Sequence, residues 1–486
     1  MDTIVVTVDN TGFDYDIHSL VKAFFPECDV SVLGPDDEKD KSSSEGYPDI
    51  SISFGEEEIL LTIMGDKTFG HKVEISSDYD RTVIKNLLKR LIYTGLFGLT
   101  GKTLPWGTLT GIRPTKIPMQ FLDDTSDEEI REYMKEVYML SDEKLDLCID
   151  IAKREHRILK SIDNKDSYSL YIGIPFCPTR CLYCSFTSYP IATCRDKVPG
   201  YLNALFREMD EVSKLCEGKH LNSVYIGGGT PTALEADELD RLLSKLESTF
   251  DLRNIRELTV EAGRPDSITA DKLRALKKHN VTRISVNPQS MNQKTLDDIG
   301  RLHSVEMIKD VFKMARDEGF DNINMDIILG LPDEGPSEVS HTIEEIVKLS
   351  PDSLTVHSLA IKRASKMAEW IQTNGISTLN NTDETMKIAS DGAYDMGMKP
   401  YYLYRQKNMS GNFENVGYAR EGKEGIYNIL IMEEVESIVA LGAGTVTKRV
   451  FGDGRIERTD NVKDIDLYIN SIDDMIERKI KLFGPR

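Results

Sequence analysis

Apolar positions follow two different patterns along the chain, and the change comes near residue 166. In the first part, TIVVTV (3–8) reads as a short β-branched strand and DYDIHSLVKAFF (14–25) as a helix. ISISFGEEEILLTIMG (50–65) alternates on both sides of an acidic tip, which predicts a hairpin. RTVIKNLLKRLIYTGL (81–96) is amphipathic, and two acid-rich helices with an apolar stripe are predicted through 126–159. DDEKDKSSSEG (36–46) is a charged, serine-rich loop. LPWGTLTGIRPTKIP (104–118) is broken by Pro and Gly.

From residue 166 short apolar runs alternate with helical segments. The runs are SLYIGIP (169–175), SVYIGGG (223–229), ELTVEAG (257–263), RISVNPQ (283–289), INMDIILG (323–330) and SLTVHSL (353–359). Leu239, Leu242, Leu243 and Leu246 fall on one helical face, as do Ile308, Val311, Phe312 and Ala315. Six β-α units with nearly continuous apolar strands imply a parallel sheet covered by helices. The fold class expected is α/β, an open, partial (β/α)6 TIM-like barrel whose chemistry sits at the strand C-terminal ends. A flat doubly wound sheet is the alternative. After about residue 380 the alternation stops. A helix is predicted over 384–396, then the aromatic, basic stretch PYYLYRQKNMSGNFENVGY (400–418), the Gly-rich turn ALGAGTVTK (440–448) and a mainly helical tail. The expected domains are an N-terminal α+β domain (1–165), the partial barrel (166–380) and a mainly helical C-terminal domain (381–486). No solenoid repeat is present.

With 486 residues, 40% hydrophobic and 29% charged, the composition is globular and excludes collagen, a wholly disordered chain and a small disulfide scaffold. A formal net charge of −21 repels phosphate backbones and anionic lipid, so neither nucleic acid nor a membrane surface is an expected partner. No run approaches the roughly 20 apolar residues of a membrane span. The start, MDTIVVTVDNTGFD, lacks the basic segment of a secretory signal, and the expected location is the cytoplasm. Seven cysteines are present, three of them within eight residues. In a reducing compartment that clustering points to metal before disulfide.

Those three, Cys177, Cys181 and Cys184, form C-x3-C-x2-C directly after the first barrel strand, on a loop at the mouth. Thiolates suit an iron–sulfur cluster or zinc. Three ligands leave one iron of a [4Fe–4S] cube open, whereas structural zinc wants a fourth protein ligand. Cys194 lies ten residues on, and the loop has no histidine. An open iron can be filled by the amino and carboxylate groups of S-adenosylmethionine, placing a sulfonium beside an electron source for radical chemistry. Other strand ends carry matching features. IGGGTPT (226–232) lets backbone approach a ligand closely, although a tight turn explains it equally well. Glu261, Gln289 and Asp326 stand at or within strands three, four and five, with Arg301 twelve residues after Gln289. Each alone reads first as a structural hydrogen-bonding group. At successive strand ends beside the cysteine loop they point to one shared site. His357, in TVHSLA, is a further polar group that could face the mouth, with a satisfied core histidine as the commoner reading.

At these residues the chain resembles the radical SAM superfamily. YIGIPFCPTRCLYC, IGGGTPT, the Gln in RISVNPQS, and DIILGLP are similar, in order, to motifs of the oxygen-independent coproporphyrinogen III oxidase family over roughly 166–450. LTGIRPTKIP, VEAGRPD, RISVNPQSMN and YRQKNMSGNFENVGYA resemble most closely its coproporphyrinogen dehydrogenase (HemZ) branch. The resemblance implies that Cys177, Cys181 and Cys184 ligate a [4Fe–4S] cluster. It implies that Tyr171 and Tyr183 contact S-adenosylmethionine, that Gly228, Gly229 and Thr230 hold its amino-acid end, and that Glu261, Gln289, Arg301 and Asp326 also contact it. Ala360 matches a backbone contact near the adenine, and Lys448 aligns with a late contact in a divergent stretch. Two positions depart from the oxidase pattern. Phe186 stands where the oxidase has a fourth cysteine, as in haem-chaperone relatives, and Gly173 stands where the oxidase has a histidine.

The implied reaction removes hydrogen from the β-carbon of a propionate on coproporphyrinogen III. Loss of carbon dioxide and one electron leaves a vinyl group, and two rounds give protoporphyrinogen IX. An external one-electron donor such as a flavodoxin or ferredoxin is the expected partner. A tetracarboxylate substrate calls for cations, with Arg113, Lys116, Arg264, Arg405 and Lys407 as candidates against the alternative of solvated surface charge. Tyr401, Tyr402 and Tyr404 are candidates to stack on a macrocycle or to fill the core. A haem-binding chaperone and a radical enzyme on another tetrapyrrole are the competing functions. Cys28, Cys148, Cys194 and Cys216 read as ordinary buried or partly buried thiols.

Overall fold

A computed structural model describes residues 2–484 apart from 38–41, 66–67, 163–165, 363–364, 375–378, 380 and 407–412. The chain divides into two compact units, Met1–Lys153 and Arg154–Arg486.

The first unit is built on a five-stranded sheet of Thr3–Val8 (β1), Asp29–Leu33 (β2), Asp49–Phe54 (β3), Glu58–Met64 (β4) and Thr68–Glu74 (β5), in the order β2-β1-β3-β4-β5. β1 runs parallel to β2 and β3, and β3, β4 and β5 form an antiparallel meander. The predicted hairpin is β3–β4; its alternate residues Ile50, Ile52, Ile59, Leu61 and Ile63 turn inward. They meet Ile17 and Leu20 from helix Asp14–Phe24 and Leu88 and Ile92 from helix Arg81–Thr100 in one core. The longer helix is capped at its start by the Asp80 carboxylate, which accepts from the Thr82 and Val83 amides. β2 and β5 were not legible as strands. Neither buries a continuous apolar face, and edge pairing supplies what patterning lacks.

The second unit holds an eleven-stranded sheet. Its strands are Ser167–Ile174 (β6), His220–Gly228 (β9), Glu257–Glu261 (β10), Arg283–Ser285 (β11), Ile323–Leu329 (β12), Ser353–Ser358 (β13), Lys399–Tyr404 (β14), Asn415–Ala419 (β15), Ser437–Leu441 (β16), Val446–Val450 (β17) and Ile456–Asp460 (β18). Two short strands, Phe176–Cys177 (β7) and Tyr189–Pro190 (β8), pair separately and close the cysteine loop. The order in the large sheet is β14-β15-β13-β12-β11-β10-β9-β6-β16-β17-β18. β6 and β9 to β13 are all parallel and neighbour one another in chain order. A doubly wound sheet would reverse order at a switch point, so this is the singly wound series of an open barrel. The six predicted strands are these six, and β6 is buried on both faces, as a helix-covered parallel strand must be.

Beyond residue 380 the expected helical content is joined by five strands. β15 and β14 extend the β13 edge antiparallel, and β17 and β18 extend the other edge. β16 lies parallel to β6 as a seventh parallel strand. Its run, SIVAL, is only five residues long and ends in the Gly442 turn, so it was absorbed into the Gly-rich turn predicted there. Gly442 has φ +97°, and a Cβ there would stand 2.5 Å from the Gly173 carbonyl oxygen, so only glycine lets β16 close against β6. Helices Ile465–Asn470 and Ile472–Phe483 form the predicted helical tail.

Candidate active site

A cavity of about 280 Å³ opens at the C-terminal ends of the parallel strands. Tyr171 comes from β6, and Cys177, Cys181, Tyr183 and Cys184 come from the loop after it. The end of β9 adds Gly228, Gly229 and Thr230; β10 adds Glu261, and the residues after β11 add Gln289. Asp326 in β12, Ala360 after β13, and Arg301 complete the set expected from sequence, and all of these residues line this one cavity. Residues scattered from 171 to 360 converge because a singly wound sheet brings every strand end to the same rim.

The cysteine loop is held from three sides. Its start pairs in the β7–β8 ladder, the Leu182 amide donates to the Ile299 carbonyl at 3.0 Å, and the Cys184 amide donates to the Cys181 carbonyl at 3.2 Å. Burial pushes the Cys177 thiol up to about 11 and raises that of Cys184 as well. Neutral thiols are what an apolar pocket favours, and a bound metal reverses that preference. Gly229 packs so tightly that a Cβ would fall 2.5 Å from the Phe176 carbonyl oxygen and 2.8 Å from that of Ile174. The backbone of β9 is thereby drawn against the loop that carries Cys177. The site fits a three-thiolate iron–sulfur cluster with a small polar ligand. Soft donors open into a cavity, Arg301 Nε and Asn287 Oδ1 are buried there without a hydrogen-bond partner among the described residues, and Cys194 does not line it.

Around the cavity the polar side chains are tied in pairs. The Tyr225 hydroxyl donates to Glu261 Oε1 at 2.6 Å, and Tyr171, Tyr225 and Tyr427 stack beside it, with Tyr225 and Tyr427 rings 4.7 Å apart. Burial, helped by Asp326, raises the Glu261 carboxyl to about 7 against the pull of the Tyr225 hydrogen bond. The Asp326 carboxylate receives Asn324 Nδ2 at 2.6 Å and stands 3.8 Å from His357 Nε2. Burial works against the charged form, yet His357, Asn324 and Thr355 together hold its pKa below the usual value. His357 faces the cavity rather than the core, with Tyr404 3.5 Å from its Nδ1. Arg301 donates to the Asn287 carbonyl and to the Tyr183 hydroxyl, which fixes Tyr183 beside the cysteines. Gln289 has φ +68°, a left-handed backbone costing about 1 kcal/mol, held by paired bonds of its amide and carbonyl to β12.

Other candidates stand elsewhere. Lys448, on β17, donates to the Ile431 carbonyl and pairs with Glu434, and it does not line the cavity. Arg405 is buried and also outside the lining, while Arg264 lines it but is bound to Asp266 and Thr179. Arg113 and Lys116 belong to the first unit, and Lys407 lies outside the described residues. Tyr401 and Tyr402 are core fillers, and Tyr404 alone of the three lines the cavity. Cys28, Cys148, Cys194 and Cys216 are buried. Sequence reasoning missed Lys362, whose ammonium lines the cavity 5.9 Å from the centre of the Phe186 ring. Its only signal was a lysine two residues after the Ala360 position. The Tyr225–Tyr427 stack was equally hidden, because its members are about 200 residues apart.

Comparison with known proteins gives four results. The pattern of the Radical SAM superfamily matches residues 171–346. An "Oxygen-independent coproporphyrinogen-III oxidase-like protein HemZ" of Bacillus subtilis is 38% identical over 480 residues, covering 96% of this chain and 94% of that protein. The heme chaperone HemW of the same organism is 35% identical over 195 residues, 40% of this chain and 51% of that one. Among solved structures, the coproporphyrinogen III oxidase HemN from Escherichia coli, described as a radical SAM enzyme, overlays with a TM-score of 0.51. It does so at 22% identity, covering 66% of this chain and 72% of that chain, a likeness of fold.

Proposed function

We propose a function from one premise: the chain belongs to the radical SAM superfamily, in the branch of oxygen-independent coproporphyrinogen-III oxidase-like proteins. Membership brings a [4Fe–4S] cluster and S-adenosylmethionine. The reading best supported is oxidative decarboxylation of two propionates of coproporphyrinogen III to vinyl groups. The observation that carries it is the similarity over nearly the whole chain to the HemZ protein.

Cys177, Cys181 and Cys184 would hold the cluster, and the backbone of Gly228, Gly229 and Thr230 would hold the amino-acid end of S-adenosylmethionine. When bound, these groups supply hydrogen-atom abstraction driven by one external electron. The chain's own side chains position, shield and balance charge. Glu261, Gln289, Arg301 and Asp326 ring the cofactor space, Tyr171 and Tyr183 wall it, and Ala360 borders it. Lys362 is a cation with no carboxylate partner among the described residues, set beside the exposed ring of Phe186. That pair suits a substrate combining a carboxylate with a flat apolar face. Loss of the carboxylate as carbon dioxide, after hydrogen leaves the adjacent β-carbon, requires one further electron to pass to an acceptor.

A second reading, haem binding for delivery, is favoured by Phe186 in place of a fourth cysteine and by the partial similarity to HemW. Anoxic protein with reconstituted cluster, reductant and S-adenosylmethionine separates the two. Substrate-dependent 5′-deoxyadenosine with mono- and divinyl products is the expected result. Unchanged coproporphyrinogen III, with stoichiometric haem uptake, overturns it in favour of the chaperone.

A further inference from the structure

We infer that Arg264, held by Asp266, is a positioning residue that sets the reduction potential of the cluster through the sulfur of Cys181. Arg264 follows β10 and is 3% exposed. Its Nη1 donates to Cys181 Sγ at 3.4 Å. The rest of the guanidinium is fixed: Nε meets Asp266 Oδ1 at 2.9 Å, Nη2 meets Asp266 Oδ2 at 2.7 Å, and both Nη1 and Nη2 reach Thr179 Oγ1, at 3.1 and 3.2 Å. Pro265 begins the short turn that returns Asp266 to the guanidinium, and His303, fully buried, stands 3.7 Å behind the Asp266 carboxylate. With Asp266 gripping Nε and Nη2 along one edge and Thr179 accepting beside it, Nη1 is left to bridge Thr179 and the Cys181 sulfur.

The three thiols are not treated alike. Cys177 faces the neutral hydroxyl of Thr230 at 3.4 Å, and Cys184 faces the backbone amide of Phe186. Among the described residues only Cys181 has a cationic donor. Reduction of a cluster adds negative charge that spreads onto its ligating sulfurs, and donors to those sulfurs stabilise the reduced state. A charged donor is roughly twice as strong as a neutral one. Arg264 therefore makes the cluster easier to reduce, and Asp266 keeps it aimed while cancelling only the more distant part of its field.

This inference rests on the presence of the cluster and not on the identity of the substrate. The test is an anoxic redox titration of the reconstituted full-length protein, followed by electron paramagnetic resonance, without substrate or S-adenosylmethionine. At the potential that half-reduces the native cluster, Arg264→Gln is expected to lower the reduced-to-oxidised ratio at least tenfold, about 59 mV for one electron. Arg264→Lys, which keeps the charge, recovers part of the loss. Asp266→Asn removes a negative charge, which by charge alone moves the potential up; a downward shift identifies the lost clamp. A ratio within twofold of native for Arg264→Gln, or an upward shift for Asp266→Asn, overturns the inference. If Arg264→Gln fails to hold iron, Asp266→Asn decides. Failure here leaves the tetrapyrrole reading standing, because product analysis does not depend on where the potential lies.

Discussion

Single residues at the cavity carry charge states that the sequence could not disclose. Glu261 was visible as an acid at a strand end, but its elevated pKa comes from burial and from Asp326, a residue 65 positions away in chain order. The folded carboxyl titrates near 7 and the unfolded one near 4.5. Between these values the folded state binds the proton more tightly, so stability falls as pH rises through the window, by at most on the order of 3 kcal/mol above it. Glu261→Gln removes that slope: in urea melts of cluster-free protein, variant and native should coincide near pH 4.5 and diverge in the variant's favour by pH 8. A constant difference across that range sinks the assignment. Lys362 poses a different question. Burial lowers its pKa against the opposing charge of Cys184, and among the described residues no carboxylate pairs with it, which is why a substrate carboxylate is the partner proposed for it. Lys362→Gln should raise KM for the tetrapyrrole about tenfold, a loss of about 1.4 kcal/mol, with kcat within about twofold and cluster content unchanged. The cysteines and glycines of the site were legible because spacing alone encodes them, whereas Arg264 and Lys362 take their meaning from partners that only the fold supplies.

Elements explain which parts of the fold the sequence announced. The six parallel strands were readable because burial on both faces forces near-continuous apolar runs, and the helices between them because one covered face forces a stripe. Strands β14 to β18 were not, since they are short and lie at or near the sheet edges, and the two that join them to the sheet, β15 and β16, do so through distant partners, β13 and β6. The element that fastens this late segment is helix Ile472–Phe483. Its Lys479 Nζ reaches Glu208 Oε1 at 2.7 Å, in a pair that is almost wholly buried. Glu208, on helix Val198–Leu215, also accepts from the Gly442 amide, Asn461 Nδ2 and the Tyr468 hydroxyl. One carboxylate thus joins a barrel helix, the end of β16 and the tail. Breaking one half of such a pair leaves a buried charge uncompensated, at about 3–5 kcal/mol. Lys479→Met should show that loss in thermal or urea unfolding, and adding Glu208→Gln should restore much of it. A single variant within about 1 kcal/mol of native contradicts the role given to the pair.

At the scale of the whole molecule, the two units have separate reasons to be stable. The first has its own core between the β3–β4 hairpin and two helices, and every residue of the cavity belongs to the second. A ligand that binds only the folded second unit must therefore stabilise that unit by mass action, at about 2.7 kcal/mol when present at a hundredfold excess over Kd. For a unit of more than 300 residues this corresponds to roughly 4 °C. Calorimetry of the anoxic, cluster-loaded chain should then resolve two transitions, of which S-adenosylmethionine moves one and leaves the other in place. A single transition that shifts as a whole would mean that the units unfold together. Cofactor binding would then be felt throughout the chain, and the independence of the first unit would have to be abandoned.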